Sequence, residues 1–536
     1  MARRNPLTVA ILLAAATLTA QAPRVAPFDL EEATLADLQR RMEAGQDTSR
    51  SLVEKYLARI EAIDRHGPEL RSVLEINPDA GAIADGLDAE RRNGRVRGPL
   101  HGVPILIKDN IATGDRMMTT AGSLALAGAP APMDAFVVER LRAAGAVILG
   151  KTNLSEWANF RSTHSSSGWS GRGGQTKNPY ALDRNPSGSS SGSGAAVAAS
   201  LCAVAVGTET DGSIVSPSST NSLVGIKPTL GLVSRTGIVP IAHSQDTAGP
   251  MARDVADAAA LLGAIAGSDP RDAATKDSAR RGRRDYSTSL DRNGLRGARI
   301  GVVRNRLFGY SAGADRLADE AIAAMKREGA VIVDPANIPT LGKFDDSEFD
   351  VLLYEFKADL NAYLASRGAS SPGTPVHSLR DIIAFNDAHK DEELRYFGQQ
   401  IMAMAEKKGP LTSAKYRAEL AKNHLLSREQ GVDATIAKYK LDALVAPTGG
   451  PAWVIDLVNG DGGTASAPGP STVTSVAGYP HVTVPMGYVR GLPVGMSFFG
   501  RAWSEPTLIK LAYAYEQATK HRRPPTFALT ADISSR

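Results

Sequence analysis

A run of serines and glycines at residues 187–194 contains the side chains best suited to chemistry in this sequence. An apolar segment, residues 195–206, follows the run, and a second turn of small and hydroxyl-bearing residues, 208–213, closes the stretch. Two such turns, joined by a buried helix over the apolar segment, would bring serine hydroxyls and backbone N–H groups close together. Acyl transfer needs a nucleophilic oxygen and donors that face a developing oxyanion, so this stretch is a candidate acyl-transfer site.

Two other interpretations of the serine run stay open. A solvated Gly/Ser linker has this composition, but a linker would not continue into the nearly continuous apolar residues 195–206. Residues 188–192 also satisfy the G-x-S-x-G pattern of a nucleophile elbow. An elbow follows a hydrophobic strand, whereas Asn185-Pro186 precedes this run, and this disfavours the elbow.

A serine hydroxyl becomes a useful nucleophile only when a base takes its proton. Histidine is the usual base, but His101, His164 and His243 occupy positions that favour loop or capping roles. The sequence contains no HExxH motif and no Cys/His cluster, so we expect neither a zinc hydrolase nor any metal site. A lysine kept neutral by burial is the remaining candidate, because desolvation lowers the lysine pKa. Lys108 ends the apolar run 103–107 and fits this role, although a lone lysine there could also snorkel to the surface.

The elements around these residues alternate between strands and helices, which predicts an α/β protein with a parallel or mixed sheet. Residues 347–430 read as mostly helical with charged faces, and we expect this region to cover the site. Short apolar runs predict strands at 103–108, 146–149, 298–303, 441–447 and 481–485. Helical spacing predicts helices at 52–63, 136–144, 255–266, 314–328 and 508–519.

Composition and charge exclude several classes of protein. The chain has 536 residues, 43% of them hydrophobic and 22% charged, which is ordinary for a globular protein with a substantial core. A net charge of +4 with dispersed Lys and Arg does not indicate a nucleic-acid partner. Cys202 is the single cysteine, so the chain cannot form an internal disulfide.

The N-terminus predicts a signal peptide over residues 1–22. Arg3 and Arg4 precede an apolar run at 7–20, and Ala20-Gln21-Ala22 follows as a small-x-small cleavage site. The run is too short for a transmembrane helix, so we expect an exported protein, periplasmic or secreted, with no stable membrane association after leader removal. A twin-arginine signal, an uncleaved disordered start and a membrane anchor are the alternatives.

Four segments in this order resemble the amidase signature family: GVPILIKDN, GSSSGSGAAVAA, GTETDGSI and SQDTAGP. Their order and spacing are more specific than any one of them. The resemblance runs from about residue 28 to residue 525 and implies a single amidase domain, 28–525, followed by a C-terminal tail, 526–536. Members of the family have a central mixed β-sheet flanked by helices on both faces.

The resemblance implies a Ser-cisSer-Lys triad. Matched by motif, Ser213 is the nucleophile, Ser189 is the bridging serine with a cis peptide bond, and Lys108 is the general base. The lysine would draw a proton from the bridging serine, which in turn draws one from the nucleophile. An acyl-enzyme would form and water would release the acid, with no cofactor.

The resemblance also implies supporting residues around the triad. The backbone N–H groups expected to form the oxyanion hole are those of Thr210, Asp211, Gly212 and Ser213. Thr208 and Ser190 are expected to support the lysine–serine network.

Three segments are most similar to peptide amidases within this family: GTETDGSIV, KTNLSEWANF and GGQTKNPY. Those enzymes remove the C-terminal amide from peptides, and Asn159 in the second segment is a candidate substrate contact. The chain departs from the common pattern at Ser187-Gly188, at Glu209 and Asp211, and at Val215. The last position is an arginine in several members, and its replacement removes a group that could bind a carboxylate.

Other functions of the same scaffold stay open. The nearest is an amidase that acts on small aliphatic or aromatic amides. The subunit of a tRNA-dependent amidotransferase that supplies ammonia to charged tRNA is cytoplasmic, and the leader argues against it. A non-catalytic binding protein would not need the intact triad. We expect a peptide or small amide as substrate and a monomer or homodimer.

Overall fold

The computed structural model describes residues 25–368, 376–461 and 469–532. The predicted signal peptide, residues 1–22, and the last residues of the predicted tail, 533–536, lie outside the described residues. None of the helices in the described ranges combines the length and hydropathy that crossing a membrane requires.

An eleven-stranded mixed sheet organises the described chain, with the strand order β1-β3-β2-β6-β8-β7-β12-β13-β11-β9-β10. Strands β3, β2 and β6 run parallel to one another, as do β11, β9 and β10, whereas the strands between these groups pair antiparallel. The strands are β1 (Val73–Ile76), β2 (Pro104–Lys108), β3 (Val147–Thr152), β4 (Trp169–Ser170), β5 (Gly174–Gln175), β6 (Ala205–Glu209), β7 (Val224–Lys227), β8 (Thr247–Ala252), β9 (Arg299–Val302), β10 (Val331–Val333), β11 (Ala443–Pro447), β12 (His481–Val489) and β13 (Leu492–Phe499).

Helices cover the sheet, and its central strands are buried along their whole length. Every residue of β2, β3 and β6 is buried, as expected for parallel strands with helices packed on both faces. The helices are α1 (Leu35–Glu43), α2 (Ser49–Ile60), α3 (Ala80–Arg92), α4 (Phe136–Ala143), α5 (Ser191–Ala198), α6 (Val215–Thr220), α7 (Val255–Ile265), α8 (Ser278–Arg281), α9 (Ala312–Arg327), α10 (Asp345–Gly368), α11 (Leu379–Ala388), α12 (Gln400–Glu406), α13 (Ala414–Ser427), α14 (Asp433–Tyr439), α15 (Ser471–Ala477) and α16 (Glu505–Thr519).

The expectation of one buried helix over residues 195–206 is wrong. Helix α5 begins inside the serine run and ends at Ala198, and strand β6 begins at Ala205. Ser200 has a positive φ of 55°, which the right-handed helix does not allow. Val204 and Val206 flank the first residue of the strand, where β-branched side chains pack well on the pleated surface.

Helices α10, α11 and α12 share one hydrophobic cluster. Leu353, Phe356 and Leu360 of α10 are buried in this cluster. The same cluster includes Trp157, in the 3-10 turn Glu156–Asn159, and Ile241, in the loop before β8, both near the carboxyl ends of the parallel strands. The helical group therefore packs directly over the edge of the sheet at which the candidate residues lie.

Candidate active site

Lys108 is the last residue of β2, and Thr208 lies near the end of β6. The two strands are parallel neighbours, with Ile107 opposite Val206 in the register. The carboxyl ends of parallel strands meet at one edge of a sheet, which is the usual place for a site in an α/β protein. The pairing of β2 with β6 therefore places the lysine beside the threonine.

The ammonium group of Lys108 is fully buried and has three oxygen neighbours. Its Nζ lies 2.8 Å from Ser189 Oγ, 2.8 Å from Thr208 Oγ1 and 3.3 Å from the Thr208 carbonyl oxygen. A neutral amine can donate two N–H bonds to the Thr208 oxygens and keep its lone pair for the Ser189 proton. The geometry thus suits a lysine that acts as a base toward Ser189.

Burial lowers the pKa of Lys108 from its ordinary value to about 7. The cause is desolvation, which disfavours the ammonium form, and the negative charges of Asp246 and Glu209 partly oppose it. A base with a pKa near neutrality can take a proton and return it with little cost in either direction.

Ser189 follows a cis peptide bond, Gly188–Ser189, and its carbonyl oxygen accepts a hydrogen bond of 3.1 Å from the Ser155 N–H. The chain passes so close to Ser155 here that a Cβ at Gly188 would collide with the Ser155 hydroxyl. Only glycine fits at this position without a shift of its neighbours.

Ser190 joins the serine run to the second turn. Its N–H donates to the Ser213 carbonyl oxygen at 3.2 Å, and its hydroxyl donates to the Thr208 carbonyl oxygen at 3.1 Å. Within the described ranges, the Ser213 hydroxyl has no hydrogen-bond partner, and the residue is 8% exposed. The backbone of Ser213 is thus tied to Ser190, the residue after Ser189, and its hydroxyl stays free to react.

The turn before Ser213 presents backbone donors. Gly212 adopts a positive φ of 76°. After Ser213, the N–H groups of Ile214 and Val215 both donate to Glu209 Oε2, at 2.7 and 3.0 Å. No acceptor among the described residues takes the N–H groups of residues 211–213. Donors that are fixed by a tight turn and left unbonded are what an oxyanion hole requires.

Side chains behind this turn hold it in place. The Thr210 hydroxyl donates to Asp246 Oδ1 at 2.6 Å, and Gln245 Nε2 donates to the Thr210 carbonyl oxygen at 3.2 Å. Asp211 Oδ2 accepts a bond of 2.7 Å from Thr472. Burial raises the pKa of Asp246 to about 6.

The sequence profile of the family described as Amidase matches residues 51–509 of the chain. The chain belongs to the amidase family. This finding confirms the resemblance predicted from the four sequence segments, and the large mixed sheet with its helices is the fold of that family.

Known relatives of this amidase cover most of its length. It is 45% identical over 511 residues to "Probable amidase At4g34880" of Arabidopsis thaliana, an alignment that covers 93% of this chain and 92% of the relative. It is 40% identical over 495 residues to a "Putative amidase" of Arthroderma benhamiae, with 88% of this chain and 79% of the relative covered.

Solved structures of a peptide amidase resemble this amidase more strongly. The native peptide amidase from Stenotrophomonas maltophilia superimposes with a TM-score of 0.88 at 53% identity, covering 94% of this chain and 100% of that chain. A structure of the peptide amidase PAM with the competitive inhibitor chymostatin has a TM-score of 0.89 at 53% identity and covers 93% of this chain and 100% of that one.

Asn159, the predicted substrate contact, makes no hydrogen bond to Lys108, Ser189 or Ser213 in the described part of the amidase. It ends a run of three residues with positive φ, Trp157, Ala158 and Asn159. Its Nδ2 donates to Ser167 Oγ at 2.8 Å, whereas its buried Oδ1 has no partner within the described ranges. An acceptor of this kind could still take an N–H bond from a substrate.

Two further lysines of the amidase are as deeply buried as Lys108, and sequence reasoning missed both. Lys151 donates to the Ile111 carbonyl oxygen at 2.7 Å and to Thr119 Oγ1 at 2.8 Å. Lys227 donates to the Tyr479 carbonyl oxygen at 2.8 Å. Burial lowers the pKa of each to about 8. Of these three lysines, Lys108 is the one that contacts a serine hydroxyl.

The roles of Gln245 and Asp246 were also missed. Both lie in the SQDTAGP segment that contributed to the family resemblance, but the sequence shows no partner for them. Of the three histidines considered as bases, His101 bonds the Leu87 carbonyl oxygen, His164 bonds Thr163, and His243 pairs with Asp359.

Proposed function

We propose that this amidase hydrolyses the C-terminal amide of peptides to the free acid and ammonia, through an acyl-enzyme on Ser213. The observation that carries the proposal is the 2.8 Å contact between the buried Lys108 amine and the Ser189 hydroxyl. The high similarity to peptide amidase structures supports the choice of substrate.

In the proposed reaction, Ser213 Oγ attacks the amide carbonyl while its proton passes to Ser189 and the Ser189 proton passes to Lys108. The carbonyl oxygen gains negative charge and is stabilised by the N–H groups of residues 210–213. Lys108 then returns a proton through Ser189 to the leaving nitrogen, so that neutral ammonia departs. Water, activated by the same two residues, hydrolyses the acyl-enzyme and restores Ser213.

Thr208 and Ser190 position the base in this proposal. Thr208 accepts N–H bonds from Lys108 through both of its oxygens, which directs the lone pair toward Ser189. Ser190 ties the two turns together through its N–H and its hydroxyl. Neither side chain exchanges a proton with the substrate.

The predicted signal peptide supports a further proposal, that the enzyme acts outside the cytoplasm. An extracytoplasmic enzyme would meet exogenous peptide amides and would not meet the cytoplasmic partners of a tRNA-dependent amidotransferase.

The experiment that tests the function measures ammonia release from an N-acetylated peptide with a C-terminal amide. The controls are the same peptide as a free acid and the Ser213→Ala variant. We expect one ammonia for each peptide, and a product mass that differs from the substrate by the exchange of the amide for an acid. Cleavage at internal peptide bonds, or turnover of simple amides but of no peptide amide, would refute the proposed substrate.

A further inference from the structure

We propose that a cavity beside Thr210 binds an uncharged, apolar side chain on the acyl side of the scissile amide. In a peptide amide, this is the side chain of the residue that carries the amide. The inference rests on the proposed function, because that function places the scissile carbonyl at the turn 210–213.

The cavity has a volume of about 400 Å³ and shares residues with the candidate active site. Thr208 and Thr210 line it, as does Asn110, whose Nδ2 donates to Thr208 Oγ1 at 2.9 Å. A carbonyl carbon bound at the turn has its Cα only about 1.5 Å away. The substituents on that Cα therefore begin at the wall that the cavity and the turn have in common.

The wall of the cavity is largely apolar. The apolar residues that line it include Ile238, Val239 and Ile241, together with Ala362 and Tyr363 of α10. Apolar walls gain free energy by covering an apolar side chain, whereas a peptide backbone would lose hydrogen bonds to water there. The side chain of the substrate is thus a better occupant than its main chain.

The charged groups that line the cavity are already engaged with other residues, and Glu209 accepts hydrogen bonds from the N–H groups of Ile214 and Val215. The Arg235 guanidinium lies 2.9 Å from Asp272, Arg271 lies 2.9 Å from Asp269, and His243 lies 2.8 Å from Asp359. Asp246 accepts hydrogen bonds from Thr210, Ile241 and Ala242. A charged substrate side chain would lose its water and find no free partner of opposite charge among these groups.

One polar atom of a residue that lines the cavity has no hydrogen-bond partner among the described residues. Asn110 Oδ1 is buried and, within the described ranges, accepts no hydrogen bond. An N–H group of the substrate could donate to it when the side chain fills the cavity. Orphaned buried acceptors are uncommon in folded proteins, which makes this atom a candidate contact.

The volume sets the size of the side chain. Cavities that bind small ligands span roughly 300–1,000 Å³, so this one can hold a leucine or phenylalanine side chain. We expect peptide amides that end in these residues to have a kcat/KM roughly 10- to 100-fold above the glycine amide.

A matched series of acetyl-Ala-Ala-X-amides, with Gly, Leu, Phe, Lys or Glu at X, tests the inference. We expect Leu and Phe to exceed Gly, and Lys and Glu to fall below Leu. Equal values across the series, or a preference for a charged residue, would overturn it. Acetamide and 3-phenylpropanamide are measured in parallel. If no peptide amide is hydrolysed, the peptide proposal is refuted, but the ratio of kcat/KM for 3-phenylpropanamide to that for acetamide still tests the cavity.

Two variants of α10 locate the effect in the cavity. Both alanines are exposed, but Ala362 lines the cavity, whereas Ala365, one turn further along, does not line it. Ala362→Phe should lower the Phe-to-Gly ratio of kcat/KM by about tenfold, because the new ring fills the space. Ala365→Phe should leave the ratio unchanged. An unchanged ratio in Ala362→Phe, or equal changes in both variants, would show that the side chain binds elsewhere.

Discussion

Replacing Lys108 with methionine should abolish activity and yet stabilise the folded enzyme below neutral pH. The lysine is fully buried, and its pKa falls from 10.5 to about 7. At about 1.4 kcal/mol per pH unit, the protonated form therefore costs the fold roughly 5 kcal/mol. Methionine is unbranched, of similar length and uncharged, so it can fill the same space without this cost.

The loss of hydrogen bonds reduces this gain. Both Thr208 oxygens keep another donor, since Asn110 bonds the hydroxyl and Ser190 bonds the carbonyl. The Ser189 hydroxyl loses its bond to Lys108, which costs about 1–3 kcal/mol in a buried site. We therefore expect Lys108→Met to be more stable than the wild type by roughly 2–4 kcal/mol at about pH 6.

The difference in the free energy of unfolding between the wild type and Lys108→Met must change with pH in a definite direction. Between pH 7 and 10.5 the unfolded lysine binds a proton that the folded one does not, so wild-type stability rises with pH relative to the variant. Above about pH 10 the penalty is gone and only the lost hydrogen bond remains, so the wild type should then be the more stable protein.

The assay is guanidinium denaturation of both proteins at several pH values, with Lys326→Met as a control for the loss of a surface lysine. A crossing of the two stability curves between neutral and high pH would support a lysine that is neutral in the fold. A Lys108→Met protein that is less stable at every pH, by a constant amount, would refute the reasoning.

Three further predictions concern catalysis. Ser213→Ala and Lys108→Ala should each lower kcat by several orders of magnitude, because a nucleophile and its base act as one unit; ammonia release measures this, and full activity in either variant would contradict the mechanism. The kcat/KM should decrease as the pH drops below about 7, because Lys108 gains a proton there. Asp246→Asn should shift this acidic limb of the pH–rate profile to lower pH, because it removes a negative charge that favours the ammonium form of Lys108. An acidic limb that does not move would contradict the effect of Asp246 on the pKa of Lys108. Thr208→Val should reduce kcat about 10- to 100-fold with little change in KM, because the amine loses a hydroxyl acceptor that directs its lone pair; an equal rise in KM would show that Thr208 contacts the substrate instead.

The apolar residues before Lys108 predict its burial, but they do not distinguish it from other buried lysines; the family resemblance alone selected it as the base. An apolar run that ends in lysine predicts a buried strand, and β2 ends at Lys108. Lys151 also follows apolar residues, in β3, and is equally buried. Only the pairing of β2 with β6 brings a threonine and a serine to one of the two amines, and a pairing across about a hundred residues leaves no local signal in the sequence.

A long-range contact explains why the role of Asp246 was missed, and a local ambiguity explains the error in the segment 195–206. The bond from Thr210 to Asp246 joins positions that are 36 residues apart and depends on the path of the loop 241–246, which precedes β8. The apolar segment 195–206 divides into a helix and a strand at a residue with left-handed backbone, Ser200. Hydrophobicity alone does not distinguish a buried helix from a buried strand in a segment of this length.

The most direct test of the proposed mechanism identifies the residue that carries the acyl group. A peptide ester with the same acyl part is mixed with the enzyme, quenched with acid during the first turnover, and the protein is digested and analysed by mass spectrometry. The mechanism predicts an acyl group on Ser213, and none on Ser189. An acyl group on another residue, or hydrolysis with no covalent adduct at any time, would contradict it.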